Sequence, residues 1–185
     1  MYITKRAEYA LRALIRLGLE GRQGRPVVSV MKLARREKLP LKFLEGILGD
    51  LRKAGMIERL RGKDCGARLS TSADAFTPGD VIRKIDGDFA PTYCTRKTTT
   101  QECNCPNREQ CGVRMLMMKS HAATISILDG CSMSQVIDMV MLTMLNDSGR
   151  DVSNKAGKLR HANPEDGFLA ALSRSKVMPS LLQTS

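Results

Sequence analysis

The fold is decided by the segment SVMKLARREKLPLKFLEGILGDLRKAG, which occupies residues 29–55. Ser29 is a favoured N-cap, and the apolar positions after it recur at helical spacing as far as Glu37. Pro40 favours the start of a second helix, which the pattern predicts over residues 41–54. Two short helices joined by a tight turn are typical of a helix-turn-helix, although an ordinary helical hairpin has the same pattern.

A predicted β-hairpin follows this pair of helices. Residues 56–61 alternate between apolar and polar side chains, residues 62–66 suit a turn, and residues 67–70 can return as a second strand. Such a hairpin, directly after a recognition helix, is the wing of a winged helix, and its cations can reach phosphates or a minor groove. The residues predicted to contact DNA are Ser29, Lys42, Phe43, Glu45, Arg52, Arg59, Arg61, Lys63 and Arg68.

The positive charge of the chain is concentrated in this predicted DNA-binding part. Residues 1–63 carry sixteen Lys or Arg and six Asp or Glu, a balance of +10, whereas the other 122 residues carry fourteen and thirteen, a balance of +1. A basic head on a near-neutral body suits a partner with dense phosphate charge, because each neutralised phosphate releases counterions. A solvated basic surface without a partner is the alternative.

The remaining apolar patterns are mostly helical. They predict helices over residues 3–20, 77–86 and 113–128, and a further helix over residues 132–145 that begins at a capping box. Residues 113–128 are apolar on most sides, so that helix must be covered by its own domain and by another chain. The sequence therefore predicts a mainly α protein with a small β-hairpin wing, a winged helix-turn-helix followed by a long dimerisation helix.

This organisation divides the chain into four predicted parts. Residues 1–90 form the winged helix-turn-helix DNA-binding domain, and residues 91–112 form a cysteine loop. Residues 113–145 contain the dimerisation helix and the short helix after it. Residues 146–185 are rich in Asp, Ser, Gly, Asn, Lys and Pro, which predicts a disordered tail.

The chain shows no pattern of a secreted or membrane protein. Arg and Glu interrupt the apolar residues of the first twenty positions, which is unlike a signal peptide. No uninterrupted apolar run approaches the ~18 residues of a membrane span. We therefore expect a soluble, cytoplasmic protein.

The cysteine loop predicts a reactive or metal-binding site. Four of the six cysteines lie within residues 94–111, a stretch without apolar periodicity. Thiolates gathered this densely bind a soft metal or form cross-links. Because structural disulfides are rare in cytosolic proteins, metal or redox chemistry is the stronger prediction.

Six sequence motifs together resemble the iron–sulfur winged-helix regulators of the Rrf2 family, typified by IscR, NsrR and RirA. The resemblance extends over roughly residues 1–140 in continuous order. The motifs are ITKRAEYALRAL at residues 3–14, LPLKFLE at 39–45, LRKAGMI at 51–57, RG at 61–62, TPGDVI at 77–82 and CPNREQCG at 105–112.

The resemblance implies a homodimeric transcriptional regulator, acting as a repressor on a palindromic operator. It also implies an iron–sulfur cluster, 2Fe–2S or 4Fe–4S, held by Cys94, Cys105 and Cys111. Cys103 is then a spare thiol or an alternative ligand in place of Cys105. Such a cluster senses iron or cluster status, nitric oxide or redox state, and thereby modulates operator binding.

The fourth ligand is less uniform within the family. Some members carry a histidine three residues after the last cysteine, but Arg114 stands there in this chain. Others use an acidic residue of the first helix, donated by the partner subunit, and Glu8 occupies that position. A surface ion pair between Glu8 and Arg12, four residues apart, is an equally good explanation of this acid.

Two alternatives remain beside cluster sensing. The cysteine loop can instead hold zinc or act as a thiol–disulfide switch in a DNA-binding regulator. A cluster-carrying redox protein is disfavoured, because the chain has no nucleotide-binding glycine loop and only two histidines. We therefore expect a protein that is not an enzyme.

The wing departs from the family pattern at residues 64–67, where Cys65 is a candidate second redox-sensitive thiol.

Overall fold

The computed structural model describes residues 3–61, 65–70, 72–87, 90–95, 107 and 109–150. Within them the chain forms six α-helices, one antiparallel hairpin and two short 3-10 turns at Ala73–Ala75 and Tyr93–Thr95. It divides into two compact units, residues 1–138 and 139–185. In chain order the main elements are α1 (Lys5–Arg22), α2 (Val30–Glu37), α3 (Leu41–Lys53), β1 (Ile57–Leu60), β2 (Gly66–Leu69), α4 (Pro78–Asp86), α5 (Gly112–Asp129) and α6 (Met133–Arg150).

These elements confirm the predicted fold class, a mainly helical protein with a small hairpin. The helix-turn-helix pair, α2 and α3, lies within one residue of its predicted bounds. Two helices continue two or more residues past their predicted C-terminal ends. α1 passes through Gly21 and ends at Arg22, just before Gly24 takes a positive φ of 74°. α6 continues to Arg150 instead of ending near Leu145, and residues 151–185 of the predicted tail lie outside the described residues.

Local capping boxes start both α4 and α6, and the sequence predicted the one at α6. Thr77 Oγ1 accepts a hydrogen bond from the Asp80 N–H at 3.1 Å, and the Asp80 carboxylate accepts one from the Thr77 N–H at 2.9 Å. At the start of α6, Ser132 Oγ accepts from the Gln135 N–H at 3.2 Å, and the Gln135 side chain accepts from the Ser132 N–H at 2.9 Å. Each box satisfies two backbone donors that a helix start leaves unpaired.

The core of the first unit is built around α1. Three alanines on its inner face, Ala7, Ala10 and Ala13, are completely buried and let neighbouring helices approach closely. α1 packs against α2, α3, α4 and β2. The largest completely or almost completely buried apolar side chains of the unit are Leu14, Leu17, Leu33, Leu44, Ile47, Leu48, Leu51, Ile57, Ile82, Met133 and Ile137.

The hairpin is attached to this core by a backbone bridge that the sequence did not predict. β1 and β2 pair in antiparallel register with Ile57 opposite Leu69. Val28 bridges the outer side of β2 through two backbone hydrogen bonds with Ala67, of 3.0 and 2.8 Å. A Cβ atom on Gly66 would lie 2.6 Å from the Val28 carbonyl oxygen, so the close approach requires glycine there.

Among the described residues, no single helix is long and apolar enough to cross a membrane. The segments Gly112–Asp129 and Met133–Leu145 reach the required length and composition only when they are taken together across the bend that separates them.

The first turns of α6 pack tightly on the C-terminal half of α1. Ile137 is 1% exposed and lies directly over Gly18. A Cβ atom added to Gly18 would collide with the Cδ1 atom of Ile137 and lie 2.9 Å from its Cγ1 atom. By contrast, nothing lies within 4 Å of a Cβ atom added to Gly21, one turn further along the same helix. The two glycines therefore allow a direct comparison, because they lie in the same helix and only Gly18 is covered by Ile137.

We predict that Gly18→Ala lowers the free energy of unfolding by about 1–3 kcal/mol, because the added methyl group overpacks the contact with Ile137. Gly21→Ala should leave stability unchanged or raise it by up to about 1 kcal/mol, because alanine favours the helix and has room. Chemical denaturation of both variants measures the difference. Equal stability of the two would contradict tight packing of α6 on α1.

Candidate nucleic-acid interface

The packing of α3 determines which of its side chains face outward. Leu44, Ile47, Leu48 and Leu51 are completely buried, whereas Leu41 at the start of the helix is 41% exposed. This packing leaves Lys42, Glu45 and Arg52 exposed. Gly46 and Gly49 leave open space on this helix, since a Cβ atom on either would meet nothing within 4 Å. The exposed polar side chains are therefore concentrated towards the two ends of α3.

A buried glutamate holds three of the cations that surround α2. Glu20 is 2% exposed and lies 3.1 Å from Arg25 and 3.8 Å from Lys32. It also pairs with Arg36. A carboxylate removed from water needs such partners, because an unpaired buried charge is strongly unfavourable. These three cations are already engaged within the protein.

A second glutamate organises the junction between α1 and the helix-turn-helix. Glu37, the last residue of α2, lies 3.3 Å from Arg12 and 2.6 Å from Arg16. The Arg12 guanidinium also lies 5.7 Å from the centre of the Tyr9 ring. Tyr9 in turn meets the ring of Phe43 edge-on, with 5.8 Å between the ring centres. The Tyr9 ring therefore supports one side of Phe43, a predicted DNA contact, while 40% of Phe43 remains exposed.

Other cations of the described helix-turn-helix and hairpin form no ion pair with any described residue. They are found on α2, in the turn after it, on α3 and on or next to β1: Arg35, Lys38, Lys42, Arg52, Arg59 and Arg61. All six are exposed. Unpaired surface cations are the groups that can neutralise phosphates without first losing an internal partner.

Three of these cations lie together in one groove between the end of α3 and the hairpin. Arg52, Arg59 and Arg61 line it together with Leu60 and Cys65, and its volume is about 370 Å³. We call it the arginine groove. Guanidinium groups are suited to phosphate oxygens because their planar forks donate paired hydrogen bonds. The structure thus brings together three of the predicted DNA-contacting residues.

The other predicted DNA contacts have different surroundings. Ser29 caps α2, accepting a hydrogen bond from the Lys32 N–H at 3.3 Å. Arg68 forms an ion pair of 2.7 Å with Glu58 on the neighbouring strand and does not line the arginine groove. Lys63 lies outside the described residues.

The described part of the cysteine loop contains two of the predicted ligands. Cys94 lies in the 3-10 turn Tyr93–Thr95, which packs against α5, and its Sγ atom is 3.5 Å from Thr92 Oγ1. Cys111 is the N-cap residue of α5 and makes no capping hydrogen bond through its side chain. Both are half-buried free thiols. Cys103 and Cys105 lie outside the described residues.

Within the residues that the structure describes, no three side chains of His, Cys, Asp or Glu are grouped so as to hold a metal ion. Glu8, the predicted ligand from a partner subunit, lies 2.7 Å from Lys5 and 3.8 Å from Arg12 in its own chain. The predicted surface ion pair with Arg12 is therefore present. Glu8 is 39% exposed, so this pair is screened by solvent and weak.

Sequence patterns did not predict the ion pairs of Glu20 and Glu37. These pairs determine which cations are held within the protein and which can bind another molecule. Glu20 and Glu37 are each an isolated acid among basic residues, which is the one signal that marks them. Their partners come from other helices or from the loop after α1. The position of Cys65 among arginines was missed for the same reason, because Arg52 belongs to another element.

The arrangement of α2, α3 and the hairpin defines a winged-helix protein, a class that binds DNA. The model of the Rrf2 family, described as iron-dependent transcriptional regulators, matches residues 3–139. The chain belongs to this family, which confirms the resemblance of its motifs. It is therefore a DNA-binding transcriptional regulator and not an enzyme.

Individual relatives agree with this assignment. The chain is 31% identical over 137 residues to the rrf2-like HTH-type transcriptional regulator of Rhodobacter capsulatus, covering 73% of this chain and 91% of that protein. It is 28% identical over 137 residues to the HTH-type transcriptional regulator IscR of Aliivibrio salmonicida, covering 74% and 77%. The solved structure of CymR, the global cysteine regulator of B. subtilis, has the same fold, with a TM-score of 0.62 and 24% identity over 75% of this chain and 98% of that one.

Proposed function

We propose that this regulator acts in the cytoplasm as a homodimeric repressor of a palindromic operator, and that an iron–sulfur cluster modulates its binding. The arginine groove is the observation that carries the DNA-binding part. Arg52, Arg59 and Arg61 converge there without an ion pair to any described residue, whereas cations of α1, of α2 and of the loop between them are held by Glu20 and Glu37. A DNA phosphate is the anion that fits a groove beside α3.

The exposed face of α3 suits the major groove. Lys42 can donate to guanine, and Glu45 can accept from the N4 amino group of cytosine. Gly46 and Gly49 add no side chain between the two ends of the helix. The first turns of α3 therefore read the DNA bases. The arginine groove binds the DNA phosphate backbone and so positions the helix. The contacts predicted for Ser29, Phe43, Lys63 and Arg68 supplement this arrangement.

We predict that Arg59→Ala and Arg61→Ala each weaken binding to duplex DNA and flatten the plot of log affinity against log salt by about one unit for each phosphate that is no longer neutralised. Lys84→Ala is the matched control, because Lys84 is equally an exposed cation but lies on α4. Fluorescence anisotropy on a labelled duplex of arbitrary sequence, at several salt concentrations, measures the slopes. Equal slopes for all three variants would contradict a phosphate in the arginine groove.

The donor set of the cysteine loop fits an iron–sulfur cluster. Cys94 and Cys111 are free, half-buried thiols on either side of the loop, in contact with or adjoining α5. Thiolates are the ligands that such clusters require, so we infer that Cys94, Cys105 and Cys111 hold it, with Cys103 as the alternative to Cys105. When bound, a cluster with three thiolate ligands supplies one iron that oxygen, nitric oxide or iron depletion can act upon.

The fourth ligand that we propose is Glu8 of the partner subunit. Glu8 is half-buried on α1, and its ion pairs with Lys5 and Arg12 are solvent-screened. Such pairs are worth little, so they compete weakly with a metal for the carboxylate. A ligand donated across the dimer would connect the cysteine loop of one chain to the α1 helix of the other.

Protein purified without oxygen should be brown, and Cys94→Ala, Cys105→Ala and Cys111→Ala should each remove the visible absorbance, because each deletes a thiolate ligand. Cys131→Ala is the control variant. Cys131 is buried just after the end of α5. Burial is the main cause that raises the pKa of its thiol, and the negative charge of Asp129 raises it further. This change disfavours the thiolate, so the Cys131→Ala spectrum should match that of the wild type. Colourless protein with stoichiometric zinc would contradict the cluster and favour the zinc alternative.

The dimer that we propose forms through α5. None of the residues of this helix is buried within the chain, although several are large and apolar. Val113, Leu116 and Ile127 are 65%, 62% and 44% exposed, and they follow one stripe at helical spacing. A second copy of the same helix covers such a stripe symmetrically, as in most homodimers.

Leu116→Glu should convert the dimer to a monomer, because it places a charge in the middle of the apolar stripe. Light scattering after gel filtration would report a mass near the 20.4 kDa of one chain. Ser126→Glu adds the same charge to an exposed position of α5 outside the stripe and should remain dimeric. Retention of the dimer in Leu116→Glu would place the interface elsewhere.

A further inference from the structure

The end of α5 is held against the start of α4 by a cluster of polar side chains. The carboxylate of Asp129, the last residue of α5, accepts hydrogen bonds from both terminal nitrogens of Arg83, at 2.9 and 3.1 Å. Arg83 also donates to Asp80 at 2.9 Å, and Thr77 Oγ1 lies 3.4 Å from the Asp129 carboxylate. A guanidinium bound to two carboxylates holds both of them in a defined orientation.

Gly79 makes this close approach possible. A Cβ atom built on Gly79 would collide with the carboxylate of Asp129. The carboxylate therefore occupies the space that any other residue would fill in the first turn of α4. An anion at this place is also favoured by the partial positive charge at a helix N-terminus.

The opposite end of α4 is fixed to the DNA-binding head. The Asp86 carboxylate accepts hydrogen bonds from the Thr4 N–H at 3.2 Å and from Thr4 Oγ1 at 2.6 Å, just before α1. Between its ends α4 packs against α1 and α3 through the buried Val81 and Ile82. α4 is therefore a rigid connector that reaches from the end of α5 to the helices that carry the DNA interface.

This polar cluster contributes to fixing the direction of α5. The chain just after α5 is anchored, because Met133 is completely buried and its N–H donates to the Phe76 carbonyl oxygen at 3.0 Å. α5 itself has no buried residue that would fix its angle through core packing. Hydrogen bonds to Asp129, then to Asp80, raise the pKa of Arg83.

We propose that Asp129 and Arg83 are positioning residues that set the angle between α5 and the DNA-binding head, and thereby determine which spacing of operator half-sites the dimer binds. The inference rests on the proposed homodimer. We call the contact between the start of α4 and the end of α5 the α4–α5 junction. If two heads are joined through a pair of α5 helices, the angle at this junction sets the separation of the two α3 helices. A dimer engages both half-sites only when that separation matches the DNA.

The test compares Asp129→Asn with Asp138→Asn. Asp138 forms a similar exposed ion pair of 2.8 Å with Arg22, so each variant removes one carboxylate that holds one arginine, but only the first lies at the α4–α5 junction. Wild-type protein is first used to select its preferred duplex from a random-sequence pool. The affinity of each variant is then measured for that duplex, for versions with one or two base pairs added between the half-sites, and for a single half-site.

We expect Asp129→Asn to lose about tenfold in affinity for the selected duplex, because the second head is no longer presented at the matching distance. Its preference among spacings should flatten, while its affinity for a single half-site stays unchanged. Asp138→Asn should keep the wild-type profile. Gly79→Ala should reproduce the Asp129→Asn profile without removing any charge, and its circular dichroism and mass should remain those of the wild-type dimer.

A wild-type spacing profile in both Asp129→Asn and Gly79→Ala would overturn the inference. An equal loss on the single half-site and on the full duplex would also overturn it, since the junction would then be supporting the head and not its position. Wild-type protein that selects no duplex, or that is monomeric, would instead contradict the proposed function on which the inference rests.

Discussion

The burial of one face of α3 is the constraint on which the rest of this structure depends. Leu44, Ile47, Leu48 and Leu51 are all completely buried, and truncation of such a side chain to alanine typically costs about 2–5 kcal/mol. Because a helix has a fixed periodicity, burial of these positions also fixes the direction of the opposite face. The core therefore sets the direction in which the exposed groups of α3 point.

Charge pairing adds a second level of order to the same surface. The head is strongly basic, but net charge alone does not say which cations are available to a partner. Glu20 and Glu37 hold cations of α1, α2 and the loop between them, whereas Arg52, Arg59 and Arg61 have no ion pair within the described residues. The cations that pair with these two buried acids stabilise the fold, whereas the three arginines beside α3 remain available to a partner.

Much of the fold was predictable because its signals are local. Ser29 and Thr77 cap the helices that follow them, and Pro40 lies at the turn into α3, so the helix starts can be read from neighbouring residues. The family assignment was also predictable, since its motifs are short runs of consecutive residues. For the candidate site, the sequence predicted Arg52, Arg59 and Arg61 individually, but without the groove that they form.

The sequence by itself determined the helices, the hairpin, the basic head and the cysteine loop, because spacing, capping and charge are properties of adjacent residues. Only the tertiary structure decided that Val28 bridges β2, that Ile137 covers Gly18, and that Asp129 meets Arg83. These contacts join residues that are distant in the chain, and each depends on how closely two backbones approach. No local pattern encodes that distance, since it results from the packing of the whole core.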